Sequence, residues 1–344
     1  MAAQLSRNFS LIICSLGFSL FTSLASLSPA KAQTSMTGVN IAGAEFGGKA
    51  LPGQYGRDYF YPSAATISHF AAKGMNVIRL PFRWERVQLQ LLNALDPNEL
   101  ARIDAVVNTA TQLGMMVVLD VHNYAAYYGK PIGSLEVPIG SLAGLWGQLA
   151  ARYKGNPRVI FGLMNEPKGL STETWLLAAN LAIVAIRLNG ASNLILVPGN
   201  AWTGAHSWFS NWYGTPNSIA MLGILDPGGN FAYEVHQYLD QDYSGTHALC
   251  RTDMAVITAL TNFTAWARQN GKRAFLGEFG GGRDTNCLGM LDRMLLFMKQ
   301  NSDVWRGWTY WAAGPWPPDY FTSIQPINGQ DRPQMNILRK YIAR

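Results

Sequence analysis

Val159 to Pro167 reads V-I-F-G-L-M-N-E-P, an apolar run that stops abruptly at an amide, a carboxylate and a proline. A buried strand accounts for the first residues, and the polar pair then emerges at its carboxyl end, where α/β barrels place their chemistry. Working outward, the run from Ala274 to Gly282 ends the same way, with Glu278 inside G-E-F-G-G. Two carboxylates on two strand ends suggest an acid/base pair.

Around these two runs the chain alternates short apolar segments with longer ones of helical periodicity, each pair closed by Gly or Pro. The strand candidates are Gly38–Ala42, Val77–Phe82, Met116–His122, Val159–Met164, Leu194–Pro198, Ala232–Tyr238, Phe275–Phe279 and Gly307–Trp311. Helices are expected near Ser63–Lys73, Asn98–Leu113, Leu142–Tyr153, Thr172–Asn189, Arg251–Asn270, Leu288–Asn301 and Pro333–Ala343. One slot is weak: Ala201–Asp226 is rich in Trp, Gly and Pro, with only Ile219–Leu225 as a short helical stretch. Strand, helix, strand repeated eight times predicts parallel pairing closed into a single-domain (β/α)8 TIM barrel. An open doubly wound sheet would want a Gly-rich phosphate turn after its first strand, and Ile41 to Gly48 lacks that spacing.

The N-terminus reads as an address. Arg7 precedes an apolar run from Phe9 to about Leu27, and Ala30 and Ala32 are the small residues of a cleavage site before Gln33. Residues 1–32 are therefore expected to be a secretory signal peptide and 33–344 the catalytic domain, the alternative being a membrane anchor of nearly spanning length. The formal charge of +6 falls to +4 once Arg7 and Lys31 leave, and the remaining basic residues are scattered. That excludes a phosphate-tracking surface and with it nucleic acid as a partner. Cys14 leaves too, and the pair that remains, Cys250 and Cys287, is even in number in an exported chain. A disulfide is expected, two unlinked thiols being the alternative.

On the strand list, Arg79, His122, Asn165, Glu166, His236, Tyr238, Glu278 and Trp311 all fall on carboxyl ends, which a barrel gathers around one pit. At these residues the sequence resembles glycoside hydrolase family 5, its endoglucanase (cellulase) branch most closely. The motifs are Arg79-Leu80-Pro81, His122-Asn123, Asn165-Glu166-Pro167, His236-Gln237-Tyr238, Gly277-Glu278-Phe279-Gly280 and Trp311, in order along nearly all of the mature chain. The resemblance implies that Glu166 is the general acid/base and Glu278 the nucleophile of a retaining double displacement. It implies that Asn165 holds the sugar 2-hydroxyl, and that Arg79 and Tyr238 hydrogen-bond the nucleophile. His122 and His236 would line the site, and Trp311 would floor it. Trp202, after the fifth strand, and Trp316, after the eighth, are further candidates for stacking on sugar, ahead of Trp208 and Trp212.

The implied activity is a secreted endo-β-1,4-glucanase, extracellular or periplasmic, acting as a monomer on a β-1,4-linked polysaccharide. No metal or organic cofactor is expected, and no membrane partner after cleavage of the leader. A β-mannanase or another β-glucanase would use the same acid, nucleophile and asparagine, because loop contacts set specificity. Two readings of other classes are weaker. A metal-dependent hydrolase could ligate through Asp120, His122, His236 and the glutamates, but the first strand lacks paired histidines. A non-catalytic sugar-binding barrel would not need two poised carboxylates.

Overall fold

The structure, a computed structural model, describes residues 36–342; the expected leader lies outside them. Eight parallel strands close into a barrel: β1 (Met36–Ile41), β2 (Val77–Phe82), β3 (Met116–Val121), β4 (Val159–Gly162), β5 (Ile195–Pro198), β6 (Phe231–His236), β7 (Ala274–Glu278) and β8 (Trp305–Ala313). Each pairs with its sequence neighbours, and β8 returns to β1 through Met36 opposite Gly307. The helices following them in turn are α1 (Ala64–Ala72), α2 (Pro97–Gln112), α3 (Ser141–Tyr153), α4 (Thr172–Leu188), α5 (Asn217–Ala220), α6 (Ala255–Gln269), α7 (Thr285–Gln300) and α8 (Pro333–Leu338). The expected (β/α)8 architecture is present.

Helix starts follow local chemistry. Ser63, Asp96, Ser171 and Asp284 accept backbone N–H bonds at the first turns of α1, α2, α4 and α7, and Pro97 opens α2 where no N–H is required. α6 begins four residues later than the sequence suggests, because Asp253 pairs with Arg251 and accepts from the Ala255 N–H instead of continuing the helix. The weak slot after β5 holds only α5 and two 3-10 turns, Ala201–Thr203 and Met221–Gly223. A short helical turn at Trp84–Val87 and a hairpin pairing Ala126–Tyr127 with Lys130–Pro131 had no signal in the periodicity.

Side-chain alternation divides the core in two. Outward residues such as Ile78, Leu80 and Phe82 pack with the helices in the main hydrophobic core, while Met36, Val77, Val118, Ile160, Leu196, Ala232 and Phe275 plug the lower barrel interior. Two residues further along the strands the interior turns polar. Arg79 follows Val77, Asp120 follows Val118 and Glu234 follows Ala232, all fully buried. Gly162 and Gly277 make the room. A Cβ on Gly277 would lie 2.2 Å from Glu234 Oε1.

A bulge then sets the last step. Val235 pairs with Leu276 but His236 pairs with Glu278, so β7 carries one extra residue at that point. Strict alternation from Phe275 would turn Glu278 toward the helices; the bulge brings it beside His236 on the inside.

Cys250 and Cys287 are joined, linking the loop after β6 to the first turn of α7 across 37 residues. The double substitution Cys250→Ser/Cys287→Ser should cost about 2–4 kcal/mol, read as a lower denaturant midpoint. An unchanged midpoint would show that the bridge contributes nothing to stability.

Candidate active site

Arg79 is the hub. Its side chain is fully buried, and its five N–H groups face five acceptors. Nη1 donates to Asn40 Oδ1 (3.0 Å) and Glu278 Oε1 (2.8 Å), Nη2 donates to Asn165 Oδ1 (2.8 Å) and pairs with Asp120 Oδ1 (3.1 Å), and Nε pairs with Glu234 Oε1 (2.8 Å). Burial alone would weaken the guanidinium, but the surrounding carboxylates hold it charged beyond any ordinary pH.

Glu278 is fixed at both oxygens, since the Tyr238 hydroxyl donates to Oε2 at 2.7 Å. Burial and the adjacent Glu278 together keep that phenol protonated, well above its usual range. His236 bridges the two glutamates: its Nδ1 is 2.8 Å from Glu166 Oε1 and 3.7 Å from Glu278 Oε2, while Nε2 lies 3.3 Å from Glu234 Oε1. Burial opposes charge on this imidazole, yet Glu278, Glu166 and Glu234 outweigh it and raise its pKa to about 10. His122 goes the other way. Burial holds it well below its usual range, and Asp120 Oδ2 takes Nδ1 at 2.7 Å, so a neutral ring stacks on Trp311 at 5.6 Å.

Glu166 reaches the site from a backbone with φ of +43°, a left-handed conformation that a glutamate adopts only when its surroundings hold it there. The neighbours do so: the Asn165 N–H donates to Val121 O and the Tyr124 N–H to Asn165 O, pinning the turn to the end of β3. Because Arg79 claims Asn165 Oδ1, the amide is oriented, and its buried Nδ2 is left without a protein acceptor.

All eight strand-end residues singled out above thus meet in one pit. The two tryptophans proposed from loops lie on opposite sides of it. Trp202 stands on the rim beside the Glu166 loop, its N–H donating to Pro167 O and its ring 5.3 Å from Lys168 Nζ. Trp316 belongs to a wall that runs outward from Trp311: Trp311 Nε1 donates to the Tyr320 hydroxyl, Tyr320 stacks on Trp316 at 4.2 Å, and Phe46 meets Trp316 edge-on. Trp208 is buried in the core, and Trp212 is exposed beyond the pit.

Glu234, Asn40 and Glu45 escape a reading of strand-end motifs, and Asp120 enters it only as a possible metal ligand. Glu234 and Asp120 lie two positions before His236 and His122 and fix those rings; period-two counting back from each histidine would have found them. Asn40 braces Arg79 and donates to Gly277 O at 2.9 Å. Glu45, in the loop after β1, is pushed up to about 8 by burial, and no motif marks it.

Glu166, His236 and Glu278 each offer a ligand atom, all within 4.8 Å of one another. As a cation site the set is poor, because Arg79 and Tyr238 already donate to both oxygens of Glu278 and a fixed positive charge stands beside it. As a pair of carboxylates facing one gap it suits proton transfer and nucleophilic attack.

Known proteins share this fold. The family model described as Cellulase (glycosyl hydrolase family 5) matches residues 38–314. An endoglucanase of Neurospora crassa is 38% identical over 88% of this chain and 76% of its own length. Among solved structures, XacCel5A in complex with cellopentaose superposes with a TM-score of 0.88 at 51% identity, covering 90% of this chain and 99% of that one. An endo-β-1,4-glucanase of Xanthomonas axonopodis pv. citri gives 0.88 at 47%, with 90% and 100% covered. With the family model spanning every strand end that builds the pit, the chain belongs to glycoside hydrolase family 5, the cellulase family.

Proposed function

We propose that the protein is a retaining endo-β-1,4-glucanase that cleaves internal bonds of a β-1,4-glucan. The observation that carries the mechanism is the gap between Glu166 and Glu278, whose facing oxygens lie within 4.8 Å. Retaining glycosidases hold their carboxyl groups about 5–5.5 Å apart, whereas inverting ones leave about 6.5–9.5 Å for a water. The endoglucanase relatives and the cellopentaose in XacCel5A support a β-1,4-glucan as the substrate.

In this reading Glu278 attacks the anomeric carbon as Glu166 protonates the departing oxygen. Glu166 then deprotonates the water that opens the glycosyl-enzyme. Arg79 and Tyr238 keep the nucleophile oriented, and Asn165 Nδ2 donates to the 2-hydroxyl of the sugar whose bond breaks. Trp311 supplies the apolar floor under that ring, as flat aromatic faces do for C–H faces.

The two glutamates should separate kinetically. Glu278→Ala removes the group that forms the covalent intermediate; added azide should restore turnover and give an inverted glycosyl azide. Glu166→Ala should spare the first step for substrates with good leaving groups, and azide should then yield a product of retained configuration. Proton NMR of the first product from the unmodified enzyme should show the β-anomer. An initial α-anomer would overturn the nucleophile assignment.

Neither step requires a metal or an organic cofactor, since the carboxylate pair moves the proton and forms the bond. Dialysis against a strong chelator should leave the rate on soluble glucan unchanged within about twofold. Loss of activity restored by one specific divalent ion would contradict the mechanism.

We also propose export, with residues 1–32 removed. A disulfide fits an oxidising compartment, and among the described residues no helix is long and apolar enough to cross a membrane. The intact mass of exported protein should correspond to Gln33–Arg344 less two hydrogens for the bridge. Retention of the leader would refute this processing.

A further inference from the structure

Helix α4 is apolar on the side that faces away from the barrel. Its inward residues, Trp175, Ala178, Ala179, Ala182, Ile183 and Ile186, are buried in the main hydrophobic core. Leu177, Leu181, Val184 and Leu188 follow one another at intervals of four, three and four residues, which stacks them in a line on the opposite side. Leu177 is 50% exposed, Val184 42% and Leu188 82%. Two further exposed leucines, Leu222 and Leu225, flank the line, because Asn180 Nδ2 donates to Gly223 O at 3.0 Å and the Leu225 N–H to Asn180 Oδ1 at 3.0 Å. The solvated face of an outer helix normally carries charge; α4 carries none between Glu173 and Arg187.

Beside this ridge runs a furrow. On α3, Gly147 faces Ala185 of α4, where an added Cβ would lie 3.8 Å from the alanine's, and Ala151 follows one turn on. Small side chains there leave a shallow channel between the two helices, with the ridge of large ones alongside. A ridge next to a groove is self-complementary: two copies related by a two-fold axis can each seat the ridge in the other's furrow.

The charges at the ends select the orientation. Glu173 is exposed at the amino end of α4, and Lys154 is exposed at the carboxyl end, its Nζ donating to Asn189 O at 3.1 Å. Parallel apposition would set like charges together at both ends. Antiparallel apposition, with Leu181 opposite Val184 and Leu177 opposite Leu188, brings Glu173 within a turn of Lys154 of the second copy. A patch of this make-up falls in the range of about 300–600 Å2 that is the largest a monomer normally leaves open. Contributed by both copies and enlarged by the furrow, it reaches the ~1,000 Å2 expected of a specific interface.

We propose that the outer face of α4 binds the same face of a second copy, forming an antiparallel two-fold dimer along the stripe from Leu177 to Leu188. The helix runs against the direction of the strands, so the two pits then open in opposite directions. Sedimentation velocity of the purified protein from about 0.1 to 100 μM tests this. The unmodified chain should pass from one copy to two across that range. Leu177→Lys and Leu188→Glu should each weaken the dimer at least about tenfold, since a charge is then buried against leucine. An equimolar mixture of the two variants should regain it, because lysine meets glutamate at one end and leucine meets leucine at the other.

Both variants should keep the circular dichroism spectrum of the unmodified chain. If one of them loses that spectrum, Val184→Lys, at the centre of the stripe, provides the weakening test. A single copy at every concentration, which is the monomer expected from the resemblance, would overturn the proposal. A dimer insensitive to the substitutions, or a mixture that stays monomeric, would do the same. So would a monomer that floats with vesicles of phosphatidylcholine and phosphatidylglycerol through these leucines, which assigns the face to a lipid surface.

Discussion

A guanidinium buried from solvent constrains everything else in this barrel. Arg79 stands in the middle layer of the interior, and an ion buried there survives only if acceptors replace its hydration shell. Three carboxylates and two amides do so, supplied by β1 and β3 on either side of β2, by the turn after β4, and by β6 and β7. One side chain thereby sets the relative height of most of the strands that carry the site. Removing a partner from such a cluster typically costs about 3–5 kcal/mol, because the remaining charge is left uncompensated. The same bonds that keep Arg79 in place keep Glu278 and Asn165 in place, so the geometry of the pit is inseparable from the stability of its floor.

The charges inside the pit are also organised from this point. Arg79 and a protonated His236 face Asp120, Glu166, Glu234 and Glu278, an excess of acid over base. Burial pushes Asp120 upward despite the pull of Arg79, and that allows the excess to be carried as protons. His236 resolves in the opposite direction to His122, although both sit at strand ends and both are buried. The difference is in the neighbours: His236 is ringed by three carboxylates, whereas His122 has Asp120 on one edge, Trp311 on its face and the cations Arg79 and Arg83 nearby. Two imidazoles of one site thus have different charge at neutral pH.

The barrel is legible in the sequence because each strand is a short apolar run with a polar terminus, and because the helices between them start at Ser or Asp caps. The pit is legible for the same reason, as strand ends converge whatever the loops do. What escapes is the layer beneath. Asp120 and Glu234 lie inside apolar strands, where a carboxylate looks like an interruption until its partner on another strand is known. Glu278 is a different case: its motif marks it, but alternation from Phe275 would turn it outward, and only the β-bulge against Val235 and His236 reverses that. A bulge is a property of two strands together, and no single stretch of sequence reports it. The loops are least legible, since Trp202, Trp208 and Trp212 share one stretch and one composition yet become rim, core and exposed ring.

That divergence separates the part of the site that packing fixes from the part it leaves free. The middle layer tolerates little change, because Gly277 leaves no room for a Cβ beside Glu234 and every donor of Arg79 is engaged. The loop after β5 is under a different constraint. Trp208 ties it to the core and the Trp202 N–H ties it to the Glu166 turn, and the segment between these anchors is largely buried, but Phe209 and Trp212 beyond them are exposed. Rings can be placed or removed there without disturbing a buried charge. The rings along this loop can therefore change while Glu166, Glu278 and the arginine beneath them stay fixed.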